Sequence, residues 1–103
     1  MSQPKILTDA EIVSLYLARD ESAIDHTARV YGQYCLSVAM NILNSQPDAE
    51  ECVNDTWLKT WNAIPPQKPT VLRLFLGKIT RNLAIDRYRQ RKARSPEFDL
   101  TLE

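Results

Sequence analysis

Between Val71 and Arg94 apolar residues return every three or four positions, at Leu72, Phe75, Leu76, Ile79 and Leu83. That spacing lays a stripe about a hundred degrees wide along one face of a helix, and a helix with such a stripe must dock on a core. The same stretch carries eight of the thirteen Lys and Arg residues of the chain and one acid, Asp86. Opposite the stripe, the helical turn presents Lys78, Arg81, Arg89 and Lys92, with Leu74, Ile85 and Tyr88 among them. A charge run on a helix is ordinarily a solvated face of mixed sign. This one has almost no acid to balance it. Such a face suits a polyanion with exposed bases, because cations hold phosphates and release their counterions while flat side chains lie on unstacked bases.

Composition narrows the fold class. Only two glycines occur in 103 residues, and no stretch alternates as a strand would, so the chain is expected to be all-α, a compact bundle of about four helices. The length suits one domain with one core. The net charge of zero hides a segregation: Met1 to Ala63 holds four basic and nine acidic residues, Ile64 to Arg94 nine basic and one acidic, and Ser95 to Glu103 three acids. Segregation of this kind serves two different partners, or lets one half fold over the other. No long apolar run exists and the start, MSQPKILTD, lacks the apolar core of a signal peptide, so no membrane insertion and a cytosolic location are expected. Cys35, Cys52 and the single His26 have no zinc-site spacing, and both cysteines are read as buried small hydrophobes. No cofactor and no metal are expected.

In chain order, Thr8 and Glu11 form a capping-box pattern ahead of a short helix over Asp9 to Arg19 that buries Ile12, Leu15 and Tyr16. After the polar break Arg19 to Ser22, a longer helix to Asn44 carries the stripe Ile24, Ala28, Tyr31, Cys35, Val38, Ile42 and Leu43. Gly32 within it points to close helix packing. Pro47 opens a third helix to Ala63, with Asp48, Glu50 and Glu51 where the helix dipole favours negative charge. Its buried side is expected at Ala49, Val53, Trp57 and Trp61. Glu51, Asn54, Asp55 and Leu58 form a mixed acidic and apolar stripe on the other side, fit to meet a basic partner helix. Ile64 to Thr70 contains three prolines and is a stiff loop, placed to form a pocket before the last helix. Asp86 is expected to bond an arginine or a backbone amide of a neighbouring helix. Residues 95–103 are expected to be an acidic tail or the start of a linker.

Two blocks in this order, DAEECVNDTWLKTW (Asp48 to Trp61) and FLGKITRNLAIDRYRQRKAR (Phe75 to Arg94), separated by the proline loop, resemble the second conserved region of bacterial sigma-70 family sigma factors, most closely the extracytoplasmic-function type. The resemblance covers roughly Glu11 to Arg94 and implies a non-enzymatic transcription initiation domain. It implies that Glu51, Asn54, Asp55 and Leu58 contact the clamp helices of the largest subunit of RNA polymerase core. It also implies that Lys68 in the loop, with Arg73, Lys78, Arg81, Asn82, Ile85, Arg89 and Lys92 in the last helix, binds the single-stranded non-template strand of the promoter −10 element, one base being flipped into a pocket. Asn82 is the candidate base reader, since an amide bonds an adenine or cytosine edge. An anti-sigma factor is a further implied partner.

Two departures stand out: Phe75-Leu76-Gly77 occupies a place where relatives commonly have Trp, Leu and Tyr, and Asn54 one where they have Gln. Nothing after Pro96 forms the second helical domain that reads the −35 element, so an excised domain or a narrower role is expected. The alternative from the residues alone is a helical interaction module that binds an acidic partner through its basic last helix. No nucleophile–base pair, metal set or phosphate loop supports an enzyme.

Overall fold

A computed structural model describes residues 6–94 of the chain, and the expected acidic tail over 95–103 lies outside them. Four helices follow in order, α1 (Asp9–Leu17), α2 (Ser22–Leu43), α3 (Gln46–Ala63) and α4 (Leu72–Ala93), with no strand among the described residues. The all-α bundle expected from the periodicity is what forms.

Local chemistry sets the helix ends. Thr8 Oγ1 accepts from the Glu11 amide at 3.2 Å while Glu11 Oε1 accepts from the Thr8 amide at 2.9 Å, so the capping box is complete. Helix α1 stops two residues earlier than its sequence pattern, because Arg19 turns to φ 57°. Asn44 closes α2 at φ 51°, a left-handed cap for which its short amide is suited. Ser45 Oγ then caps α3, with Pro47 in the first turn. Helix α4 receives no cap from Val71. Its cap comes from far away in sequence: Asp9 Oδ2 accepts from the Leu72 amide at 3.0 Å, and Asp9 Oδ1 accepts from the Tyr31 hydroxyl at 2.5 Å. One carboxylate thus pins α1, α2 and α4 together and places negative charge at the positive end of α4.

Helix α2 packs against all three others, and α3 packs against α4. The deepest lines of α2 and α3 include the expected Cys35, Leu43 and Ala49 but otherwise differ from the expected stripes. On α2 the buried residues are Ala23, Thr27, Cys35, Ala39 and Leu43, while Ile24, Ala28, Tyr31, Val38 and Ile42 are only half-buried. On α3 they are Ala49, Cys52, Thr56 and Thr60, with Val53, Trp57 and Trp61 on the shoulders. The physical reason is spacing: where helices come closest, small side chains fill most of the seam and most large ones sit at its edges, Leu43 at the end of α2 excepted.

Hydroxyls at this depth need partners. Thr56 and Thr60 donate to the carbonyls four residues back, and Thr56 and Thr80 share a 3.0 Å bond across the α3–α4 seam. Both cysteines are buried and free, as expected, and Cys52 Sγ lies 3.5 Å from the Thr80 carbonyl.

The two glycines exchange roles relative to expectation. A Cβ added at Gly32 would meet nothing within 4 Å, so close packing does not explain that residue. At Gly77 it would come within 2.5 Å of the Tyr34 hydroxyl, making this the tight α2–α4 approach. Asp86 also departs from expectation. It is exposed, with no hydrogen-bond partner among the described residues, because it falls beside the apolar stripe rather than under a neighbouring helix.

Candidate nucleic-acid and partner interface

The basic run of α4 divides into two populations. Arg73, Arg87 and Arg91 lie on the side turned to the rest of the bundle, and each is engaged there. The Arg73 guanidinium sits 4.1 Å from the centre of the Tyr34 ring. Arg87 forks across α3, Nη1 to Glu51 Oε1 at 2.7 Å and Nη2 to Asp55 Oδ2 at 2.6 Å. Arg91 bonds Asp48 at 2.8 Å and the Leu43 carbonyl at 3.0 Å, which satisfies the open end of α2. Burial works against the Arg87 charge, but its bonds to Asp55 and Glu51 more than offset this, and the guanidinium holds its proton above the ordinary arginine value.

Lys78, Arg81, Arg89 and Lys92 form the other population. They recur along the outer face of α4, all exposed, and none pairs with a carboxylate among the described residues. Between them lie Leu74, 68% exposed, the half-buried Ile85, and Tyr88 at the edge. The outer face of α4 is thus a row of cations with no acid partner among the described residues, interleaved with apolar surface; cations hold phosphates and apolar faces lie on unstacked bases.

Asn82 stands beside this row at a cavity of about 270 Å³ where the end of α3, the proline loop and α4 meet, lined by Lys59, Gln67, Phe75, Lys78, Ile79 and Asn82. The cavity exists because Ile64 is fully buried and anchors the start of the loop, while Gln67 N–H bonds back to the Ala63 carbonyl at 2.9 Å. Arg19 secures the same corner. Its guanidinium lies 3.6 Å from the centre of the Trp61 ring and donates to the Trp61 and Ile64 carbonyls at 3.0 and 2.6 Å. The peptide bonds before Pro65 and Pro66 are both cis.

Two residues of the expected DNA set fall elsewhere. Lys68 lines a separate, more apolar groove of about 430 Å³ against Val13, Ser14 and Leu17 of α1. Arg73 is on the bundle side of α4, over Tyr34. Lys59 and Gln67, which sequence reasoning did not single out, share the cavity with Lys78 and Asn82. Arg87 was also missed as a bridging residue. Its signal was an arginine in register with the buried stripe of α4, facing an acid pair four residues apart on α3.

On α3, Glu51, Asn54, Asp55 and Leu58 share one exposed face, and Leu58 is 61% exposed. The large aliphatic side chain of Leu58 thus lies outside the core, beside an amide and two acids.

The sigma-70 region 2 family model matches residues 28–94, well over half of the chain. The protein therefore belongs to the sigma-70 family, as a region 2 domain of a factor that takes part in transcription initiation and promoter recognition. That family is one of transcription factors, with RNA polymerase core and promoter DNA as its partners. Comparison with curated proteins and with solved structures gave no match. No described helix is long and apolar enough to cross a membrane.

Proposed function

We propose that this domain, of the extracytoplasmic-function type and working in the bacterial cytoplasm, joins RNA polymerase core to opened promoter DNA through two faces of opposite character. Glu51, Asn54, Asp55 and Leu58 on α3 meet the clamp helices of the largest polymerase subunit. Lys78, Arg81, Asn82, Ile85, Arg89 and Lys92 on α4 hold the non-template strand of the −10 element, with Lys68 and Arg73 at the margins of the path. An anti-sigma factor that covers either face would silence the domain.

The observation that carries this reading is the sorting of the α4 cations. Those on the bundle side are engaged by internal partners, while those on the outer face have no carboxylate partner among the described residues, with an amide beside them at a cavity. Stacking on single-stranded bases contributes about 1–3 kcal/mol per base, enough to offset the unpairing of one or two base pairs. Phosphate contacts add affinity that falls with salt.

Fluorescence titration with single-stranded oligonucleotides of varied sequence at low and high salt tests the reading. Arg81→Ala weakens binding on every sequence and lowers the salt slope by about one, whereas Asn82→Ala relaxes preference at one position. Equal losses on all sequences for both variants would refute the division of roles. Salt-insensitive or absent DNA binding, with retention of an acidic protein, would point instead to an interaction module. Pull-down on clamp helices, with Asn54→Ala and Leu58→Ala as controls, tests the α3 face.

A further inference from the structure

The acids assigned to a basic partner are already occupied. Glu51 and Asp55 lie one turn apart on α3, where two like charges repel, and a single guanidinium, Arg87, bridges them at 2.7 and 2.6 Å. Each carboxylate gives the fork only one of its oxygens, and the side chains stay 68% and 50% exposed against 29% for Arg87. The fork thus approaches from below, from α4, and leaves the outer side of both acids open to a visitor. With Arg87 in place the trio carries one net negative charge; without it, two.

We infer that Arg87 is a built-in competitor for the acidic face of α3: it already holds one oxygen of each acid, so a basic helix that takes Glu51 and Asp55 in a two-pronged contact of its own competes with Arg87 for them and draws them off it. This rests on the α3 reading proposed above and adds a selection step to it. A partner that offers a single weak cation gains little over Arg87. One that brings a guanidinium together with an apolar contact for Leu58 and a bond for Asn54 wins the exchange. Displacement need not unfold the domain, because Arg91 still ties α4 to Asp48 and the Leu43 carbonyl, and the Thr56–Thr80 bond still closes the seam.

The alternative role for the same side chain is positioning, in which the fork orients the acids for the partner. The two roles give opposite signs. Exposed ion pairs contribute up to about 1 kcal/mol each, so loss of the competitor tightens binding by about threefold to thirtyfold at low salt. The experiment is calorimetric titration of the clamp-helix coiled coil into the whole domain, comparing wild type, Arg87→Gln and Arg87→Lys, with melting curves confirming that each variant is folded. Tighter binding by Arg87→Gln, an intermediate value for Arg87→Lys and a gap that closes in high salt are expected. Binding by Arg87→Gln that is unchanged or weaker, while Asn54→Ala and Leu58→Ala still weaken wild type, overturns the competitor and leaves the α3 reading standing. No binding by wild type overturns both. The Arg87 side-chain NMR signals supply the direct readout: saturating clamp helix moves them to the position of a free arginine, and signals that stay put overturn the exchange.

Discussion

Asp9 is the residue whose loss tests most sharply how this fold holds its binding helix in place. Its two oxygens accept from the Leu72 amide at 3.0 Å and the Tyr31 hydroxyl at 2.5 Å, and α4 has no other side-chain cap at its start. Losing a helix cap costs about 0.5–2 kcal/mol. Losing a hydrogen bond to a charged acceptor costs about 1.5–3 kcal/mol, less here because the contact is only partly buried. Together they put Asp9→Ala at about 2–4 kcal/mol of destabilisation, while Asp9→Asn, which keeps one acceptor, falls at about half of that.

Urea unfolding followed by tryptophan fluorescence reads these values, with an unchanged m-value expected. For a domain of this size the Asp9→Ala melting temperature falls by roughly 10–25 °C. A double-mutant cycle with Tyr31→Phe isolates the side-chain pair, with a coupling of about 1–2 kcal/mol expected. The same contact has a pH signature. Burial first, then the hydrogen bond to Asp9 and its charge, push the Tyr31 phenol up to about 12. Because the folded value is raised, this stability is complete below the ordinary phenol pKa of about 10 and is lost as pH rises through the folded value. Asp9→Asn lowers the titration midpoint seen by phenolate absorbance. An Asp9→Ala variant within about 0.5 kcal/mol of wild type, or a cycle with no coupling, would sink the idea that this carboxylate pins three helices.

The glycines give a paired test: Gly32→Ala, with open space for its methyl, stabilises by about 0.5–1 kcal/mol through helix propensity, whereas Gly77→Ala meets the Tyr34 hydroxyl and destabilises by about 1–3 kcal/mol. Thermal melts of both variants check it, and equal shifts would contradict the packing at Gly77. Burial raises both thiols, Cys52 to about 11, so neither reacts with a thiol reagent at pH 8 until the domain unfolds, and their contribution to stability is lost as pH climbs above the ordinary thiol value. Reaction of Cys52 at the rate of a free thiol would show that the α3–α4 seam opens. Replacing Arg19 with Met removes two carbonyl bonds and the stacking on Trp61. An expected loss of about 1–3 kcal/mol, with a shift in tryptophan emission, appears in the same urea assay.

The expected stripe of α4 shows how far periodicity reaches. Leu72 and Leu76 are fully buried, with Phe75, Ile79 and Leu83 beside them, because a stripe that wide has only one way to face a core. On α2 and α3 the same logic found Cys35, Leu43 and Ala49 but otherwise chose half-buried residues, and the rest of the seam went to Ala23, Thr27, Ala39, Cys52, Thr56 and Thr60. A threonine next to a large apolar neighbour reads as surface in sequence. Its burial depends on a helix-internal bond and a second threonine brought in by another helix.

What the chain order alone determined is everything that spacing along one helix controls: four helices, the Thr8–Glu11 cap, the stops at Asn44 and the prolines, and an outer α4 face bearing Lys78, Arg81, Arg89 and Lys92. Only the packed structure decided which charges are engaged within the bundle. Arg73, Arg87 and Arg91 are as basic as their neighbours in sequence, yet they are held by Tyr34, by Glu51 with Asp55, and by Asp48 with the Leu43 carbonyl. The reason is reach. A long side chain finds its partner by distance through space, and that distance is set by how two helices cross, which no local pattern encodes.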